Sequence, residues 1–151
     1  MIDERAICHE AGHAIVALNF GLRVCEIKLE RSLPTLAFAR ADATLAQLCA
    51  VFAGGVAAEQ IIFRGNNHAA SSSDRQLIEQ LGGGTLEEHL DYATQIINAN
   101  IGCHQEMRTE MAQNWLAEDG ASVLQDSDSE KLTFSLLGAD RIMAIWIRWH
   151  P

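Results

Sequence analysis

Residues 5–20 read RAICHEAGHAIVALNF, and this stretch carries the strongest signal in the chain. Its apolar residues recur every three or four positions, which predicts an amphipathic helix that ends near Gly21. The helix carries HEAGH at residues 9–13, an H-E-x-x-H pattern. Because an α-helix turns once in about 3.6 residues, His9 and His13 lie one turn apart on the same face. Both imidazoles can therefore reach one metal ion.

The chemistry that this pattern serves is metal-assisted hydrolysis. Zinc binds neutral imidazole and carboxylate ligands, and a catalytic zinc site keeps one position for water. Glu10 lies about 100° around the helix axis from His9, so its carboxylate can contact that water without binding the metal. Bound zinc lowers the pKa of the water to about 7, and Glu10 is then the candidate general base. We predict that His9 and His13 bind Zn2+ and that Glu10 is catalytic.

A small β element and a buried helix are predicted to follow the metal-binding helix. Residues 24–29 and 35–40 predict two short strands that pair with each other. The second is a candidate edge strand, to which an extended peptide could add. Residues 42–63 (DATLAQLCAVFAGGVAAEQIIF) are apolar almost all round and predict a buried helix. The paired glycines in its middle indicate close contact with another backbone.

Serine and threonine residues mark the predicted starts of the next two helices. Ser71–Asp74 and Thr85–Glu88 both fit a capping box. We therefore expect a short helix that ends at Leu81 and a second helix that ends near Asn100.

The C-terminal third of the chain is predicted to be helical as well. One helix is expected over 104–118, ended by Asp119 and Gly120, and another over 131–149 after a loop at 126–130. The fold class is thus mainly α (α+β). We treat the chain as a single domain, 1–151, with a metal-site half at about 5–80 and a C-terminal helical part at about 85–150.

Three motifs occur in order along the chain: HEAGHAIV at 9–16, AGGVAAEQIIF at 53–63 and AASSSD at 69–74. Together they resemble the peptidase domain of the FtsH-type membrane-anchored AAA+ zinc proteases. The resemblance covers about residues 5–80. It implies a helical, zincin-like peptidase domain whose cofactor is zinc.

The resemblance also implies roles for individual residues. His9 and His13 match the zinc histidines, Glu10 matches the catalytic base, and Asp74 matches the aspartate that is the third zinc ligand. Glu59 is the rival third ligand, since other zincins take a glutamate from a later helix. An unpaired carboxylate on a buried helix is costly. We favour Asp74 as the ligand and Glu59 as the hydrogen-bond partner of a zinc histidine.

The implied function is that of a zinc-dependent metallopeptidase, an endopeptidase that acts on peptides or unfolded proteins. The chain departs from the family at Val56, where the family has arginine after the paired glycines. It also contains no G-x-x-x-x-G-K-[ST] phosphate loop, so we expect ATP-independent action, with a separate ATPase or adaptor as a candidate partner. The alternative is a non-proteolytic metal-binding interaction or scaffold domain derived from such a peptidase.

Composition and charge narrow the choice of partners. Twenty acidic against eleven basic residues give a net charge of -9, which disfavours nucleic-acid binding. No signal peptide and no apolar stretch of about 18 residues is apparent, so we expect a cytoplasmic protein without a membrane span. The four cysteines show no C-x-x-C spacing and are expected to be reduced and buried. The tryptophans near the C-terminus are expected in the core or at an oligomer interface; the oligomeric state is not predicted.

Overall fold

The computed structural model describes residues 2–30, 33–65, 68–125 and 133–151 of the chain. These residues form six helices and three strands, and the domain is mainly helical with a small antiparallel sheet, as the sequence predicts. In chain order the elements are α1 (Glu4–Asn19), β1 (Val24–Glu30), β2 (Leu33–Phe38), α2 (Leu45–Phe63), α3 (His68–Gln80), α4 (Glu87–Ala99), α5 (Ile101–Gln125), β3 (Thr133–Gly138) and α6 (Ala139–Trp149).

Helices α1 and α2 pack closely against each other and form the centre of the domain. A Cβ atom added to Gly54 would lie 2.8 Å from the carbonyl oxygen of Gly12, and one added to Gly12 would collide with Gly54. Glycine at both positions therefore lets the two backbones approach. This confirms the close contact that the paired glycines predict.

Local signals define where these two helices begin. The Asp3 side chain accepts a hydrogen bond of 3.0 Å from the backbone nitrogen of Ala6. Thr44 and Gln47 form a complete capping box at the start of α2. Both caps satisfy backbone N–H groups that the first helical turn leaves without partners.

The sheet has the strand order β2-β1-β3, and both pairings are antiparallel. Strand β1 lies in the middle, with Ile27 opposite Leu36 on β2 and opposite Leu137 on β3. Strand β2 is thus an edge strand within the described sheet, and α1 packs beside it. The predicted pairing of the first two strands is confirmed.

The prediction of one helix over 131–149 is wrong. Residues Thr133–Gly138 form strand β3, and only Ala139–Trp149 form a helix. A short apolar run such as Phe134 to Leu137 fits a buried strand or a buried helix by pattern alone. The free edge of β1, more than 100 residues earlier in the chain, decides in favour of the strand.

Several predicted helix ends are also wrong. Helix α3 begins at His68, so Ser71 lies inside it, and α4 begins at Glu87 with Leu86, not Thr85, at the capping position. Helix α5 begins at Ile101 and continues through residues 119–120 to Gln125. Tertiary packing overrides these weak local stop and start signals. The predicted loop at 126–130 lies outside the described residues.

Helix α2 bears on the expectation that no apolar stretch is long enough to span a membrane. Among the described residues, α2 is the one helix long and apolar enough to cross a membrane, with a mean hydropathy of 1.6. By length and composition, therefore, the expectation is wrong. Most of this helix is buried inside the domain. Core helices pass the same test, so the result is weak evidence for a span.

The predicted burial of the cysteines holds for three of the four, and the tryptophans differ in their exposure. Cys8, Cys49 and Cys103 are buried and unpaired, whereas Cys25 is exposed on β1, so its predicted burial is wrong. Trp115 is buried in the core, and Trp149 is about half exposed.

Candidate metal centre

Helix α1 presents His9 and His13 on the face that packs against α2. Their ring centroids lie 4.6 Å apart and the ring planes are nearly perpendicular, at 84°. Both side chains are buried in the domain. The four-residue spacing in a regular helix produces this pair, as the sequence predicts.

A hydrogen bond at Nδ1 orients each imidazole. His9 donates from Nδ1 to Oε2 of Glu59 over 2.8 Å, and His13 donates from Nδ1 to the carbonyl oxygen of Val51 over 2.6 Å. Both acceptors belong to α2. Because the Nδ1 atoms are engaged there, the Nε2 atoms of both rings face the remaining space between α1 and α3.

Asp74 on α3 completes a three-residue group. Its Oδ2 atom lies 2.8 Å from Nε2 of His9 and 3.4 Å from Nε2 of His13. The three candidate ligand atoms all lie within 4.8 Å of one another, and the three residues are buried. Such a buried His9-His13-Asp74 group could hold a metal ion.

The carboxylates around the two imidazoles favour a positive charge on the group. Burial alone lowers the pKa of His9, but the hydrogen bonds to Asp74 and Glu59 outweigh it and raise the pKa to about 10. Burial also lowers the pKa of His13, but the charge and hydrogen bond of Asp74 and the charge of Glu10 together raise it. Burial tends to raise the pKa of Asp74, but the two histidines hold it well below its usual range.

The arrangement of hydrogen-bond donors and lone pairs in the group is suited to a bound cation. With each Nδ1–H donated to α2, a neutral ring would aim the lone pair of its Nε2 atom at the Asp74 carboxylate. Three electron-pair donors that converge on one point repel each other unless a proton or a metal ion lies between them. Two imidazoles and one carboxylate are a donor set that zinc accepts, so the residues fit a divalent ion.

The position of the His9 ring requires glycine at position 55, on the facing side of α2. A Cβ atom at Gly55 would lie 2.5 Å from Nε2 of His9, inside the contact distance of any real side chain. The first glycine of the pair thus allows the helices to cross, and the second leaves room for the His9 ring.

Glu10 lies beside the group rather than in it. Its Oε2 atom accepts a hydrogen bond of 3.1 Å from the backbone nitrogen of Leu36 on β2. Burial raises its pKa, although the charges on His13 and His9 oppose the shift. A cavity of about 80 Å³ opens next to Glu10 and His9 and is bounded on its other sides by residues that include Leu33 and Pro34.

Glu59 is not among the converging ligand atoms. Its carboxylate contacts the opposite side of the His9 ring, at Nδ1, and its side chain is only 1% exposed. Glu59 is therefore a hydrogen-bond partner of His9, the role that the sequence favours for it. Its other carboxylate oxygen lies 3.5 Å from Nη1 of Arg5.

The remaining histidines do not join the group in the part of the chain whose side chains are described. His89 bonds to the carbonyl oxygen of Gly83, and His104 donates from Nε2 to the carbonyl oxygen of Cys8. The His68 side chain lies outside the described part.

Two groups at this centre were not predicted from the sequence. The Val51 carbonyl carries no side-chain signal at all. Arg5 could have been found, because it precedes His9 by one helical turn on the same face.

Comparison with known proteins adds no assignment. No protein-family model matches this chain, and no curated protein is detectably similar to it in sequence.

Proposed function

We propose that this protein is a zinc-dependent metallopeptidase with a zincin-like fold of the FtsH type. The observation that carries the proposal is the convergence of His9 Nε2, His13 Nε2 and Asp74 Oδ2 next to the Glu10 carboxylate. The order of motifs in the sequence supports the same function. Zinc is the metal that this donor set and the H-E-x-x-H spacing favour.

His9, His13 and Asp74 would hold the ion, and Glu10 would act on the attacking water. A zinc ion supplies a Lewis acid that acidifies water and polarises a carbonyl group. Glu10 would take one proton from the water as the water oxygen attacks the scissile carbonyl carbon. It would then return that proton to the amide nitrogen as the C–N bond breaks, which releases the amine and a carboxylic acid. The raised pKa of Glu10 suits both steps, since a carboxylate that is too acidic returns a proton slowly.

The substrate class that we propose is a peptide or an unfolded protein chain. The edge of strand β2 runs past Glu10, so an extended chain lying along it would pass the candidate base. The small cavity beside His9 and Glu10 would accept a side chain that flanks the scissile bond.

The experiment that tests the proposal combines metal content with hydrolysis. The chain is purified without chelator or a histidine tag, its zinc is measured, and cleavage of casein and of a quenched fluorescent peptide library is followed. Stoichiometric zinc and cleavage that is absent in Glu10→Gln are the expected results. A zinc-loaded protein that cleaves none of these substrates would contradict the peptidase proposal.

One observation favours the alternative of a metal-binding interaction or scaffold domain. Glu10 already accepts a hydrogen bond from the Leu36 backbone, which engages one of its oxygens with the sheet. In a scaffold domain this bond would tie α1 to β2 and no base would be needed. Bound zinc without hydrolysis is the result that this alternative predicts.

A further inference from the structure

Arg5 lies one helical turn before His9 and contacts the carboxylate that orients it. Nη1 of Arg5 is 3.5 Å from Oε1 of Glu59, while Oε2 of the same carboxylate accepts the Nδ1 hydrogen bond of His9. The two oxygens of one buried carboxylate therefore face a guanidinium on one side and a candidate metal ligand on the other.

The end of helix α2 holds the guanidinium in place. Nη1 of Arg5 donates to the carbonyl oxygen of Gly65 over 3.2 Å, and the guanidinium carbon lies 4.8 Å above the ring centre of Phe63. Although the Arg5 side chain is 40% exposed, these contacts restrict its orientation. Arg5 thus connects the first turn of α1 to the carboxyl end of α2.

The position of Glu59 explains why such a cation matters. The Glu59 side chain is 1% exposed, and removing a carboxylate from water is costly unless a nearby positive charge and hydrogen bonds compensate. When a metal ion binds at Nε2, His9 is a neutral imidazole that still donates one hydrogen bond to Glu59. Among the described residues, the Arg5 guanidinium keeps a positive charge beside Glu59 in that state.

We propose that Arg5 is a positioning residue of the metal centre. Acting through Glu59, it fixes the ring orientation and the Nδ1-protonated form of His9, and it thereby strengthens metal binding at Nε2. This inference rests on the metal site of the proposed function. It predicts an effect on metal affinity that is independent of any hydrolysis.

Zinc affinity measured by competition with a chromophoric chelator at one fixed pH tests this role. Hydrogen-bond partners of metal ligands typically change affinity by about 10–100-fold, and Arg5 acts one contact further away. We therefore expect Arg5→Met to weaken zinc binding by about 10-fold and Arg5→Lys to recover part of the loss. Arg141→Met, which breaks an exposed pair with Glu110, is the control and should leave zinc affinity unchanged.

A double-mutant cycle with Glu59→Gln separates this role from a structural one. If Arg5 acts through Glu59, Arg5→Met causes no further loss of affinity in the Glu59→Gln protein. The same loss in both backgrounds would overturn the proposal, because Arg5 would then act through its packing on Phe63. The visible absorption of the Co2+-loaded protein is a second readout, and we expect Arg5→Met and Glu59→Gln to shift it alike.

The outcomes for the unaltered protein keep the two proposals apart. If the unaltered protein binds no zinc after reconstitution, the metal site and the proposed function fail together. If it binds zinc and Arg5→Met binds it equally well, only the role of Arg5 is refuted. Circular dichroism and the melting temperature of each variant establish that it is folded; should Arg5→Met not fold, the comparison is made with Arg5→Lys.

Discussion

Oε2 of Glu10 lies 3.1 Å from the backbone nitrogen of Leu36, so the candidate general base is bonded to the outer edge of the sheet. The glutamate therefore has one effect that stabilises the fold and one that destabilises it. It satisfies an N–H group of an edge strand, and it carries a carboxylate in surroundings that raise its pKa by burial. Catalytic groups are often held in this way at some cost in stability.

Glu10→Gln should separate these two effects. The glutamine oxygen can still accept the hydrogen bond from Leu36, and the desolvated carboxylate is gone. We expect retained zinc, a free energy of unfolding no lower than that of the unaltered protein, and a loss of turnover of about 10²-fold or more. Elemental analysis, denaturant titration and peptide hydrolysis measure the three quantities. Undiminished hydrolysis by Glu10→Gln would refute its role as the base.

Asp74→Ala and Glu59→Gln should affect metal binding to different degrees. Asp74 supplies one of the three converging candidate ligand atoms, whereas Glu59 contacts the His9 ring at Nδ1, on the side away from them. We expect near-complete loss of zinc from Asp74→Ala and a loss of affinity of about 10–100-fold for Glu59→Gln. Zinc-to-protein ratios and chelator competition check this. The reverse order of the two effects would make Glu59 the third ligand.

Gly55→Ala should damage the metal centre from the α2 side. The added methyl group would lie 2.5 Å from Nε2 of His9, so the ring has to turn away from Asp74 and His13. We expect loss of zinc together with a loss of stability of about 1–3 kcal/mol from overpacking. Gly138→Ala, whose new Cβ atom would be 3.9 Å from its nearest neighbour, is the control and should keep both zinc and stability.

Metal binding should release protons at neutral pH. In the metal-free protein the pKa of His9 is about 10, so its ring carries an extra proton at pH 7, and the pKa of His13 is shifted in the same direction. Zinc needs neutral imidazoles, and each released proton makes the apparent affinity rise by about tenfold per pH unit. Calorimetry in buffers of different ionisation enthalpy counts the protons. An affinity that is constant between pH 6 and 8 would contradict this assignment.

The metal-free protein should also lose stability as the pH rises. A group whose pKa is raised on folding stabilises the protein fully below its unfolded value of 6.5, and this contribution disappears as the pH passes the folded value of about 10. We expect the free energy of unfolding of the metal-free protein to fall between pH 6.5 and 10. The zinc-loaded protein, whose His9 has no proton at Nε2, should not show this decrease.

His104 should make the protein less stable as the pH falls, which is the opposite direction to the effect of His9. Its side chain is fully buried; burial lowers its pKa to about 4, the bond to the Cys8 carbonyl opposes the shift, and its Nδ1 atom has no hydrogen-bond partner. Its neutral form therefore stabilises the fold above pH 6.5, and this contribution, about 3 kcal/mol at most, is lost as the pH falls from 6.5 to 4.

Unfolding experiments on metal-free protein at pH 4 and pH 7 test the role of His104. His104→Gln, which can still donate to the Cys8 carbonyl, should lose less stability between the two pH values than the unaltered protein does. His89→Gln is the matched control and should behave like the unaltered protein. Equal acid sensitivity in all three proteins would assign the loss to other groups.

The sequence determined the parts of this protein that depend on neighbouring residues. The helical period places His9 and His13 on one face of α1, and the apolar run before Glu59 defines a buried α2. The paired glycines at 54 and 55 indicate that another backbone comes close. These predictions hold because local spacing and burial pattern decide them, whatever the rest of the chain does.

The tertiary structure alone decided the features that join distant segments. Asp74 lies more than 60 residues from the histidines, and only the packing of α3 brings its carboxylate to their Nε2 atoms. Strand β3 forms because β1 offers it a free edge, although its own residues would fit a helix. The helix start that Ser71 signals is overruled, since α3 begins about one turn earlier at His68 and a capping bond contributes only about 1 kcal/mol against the burial of a whole helix face.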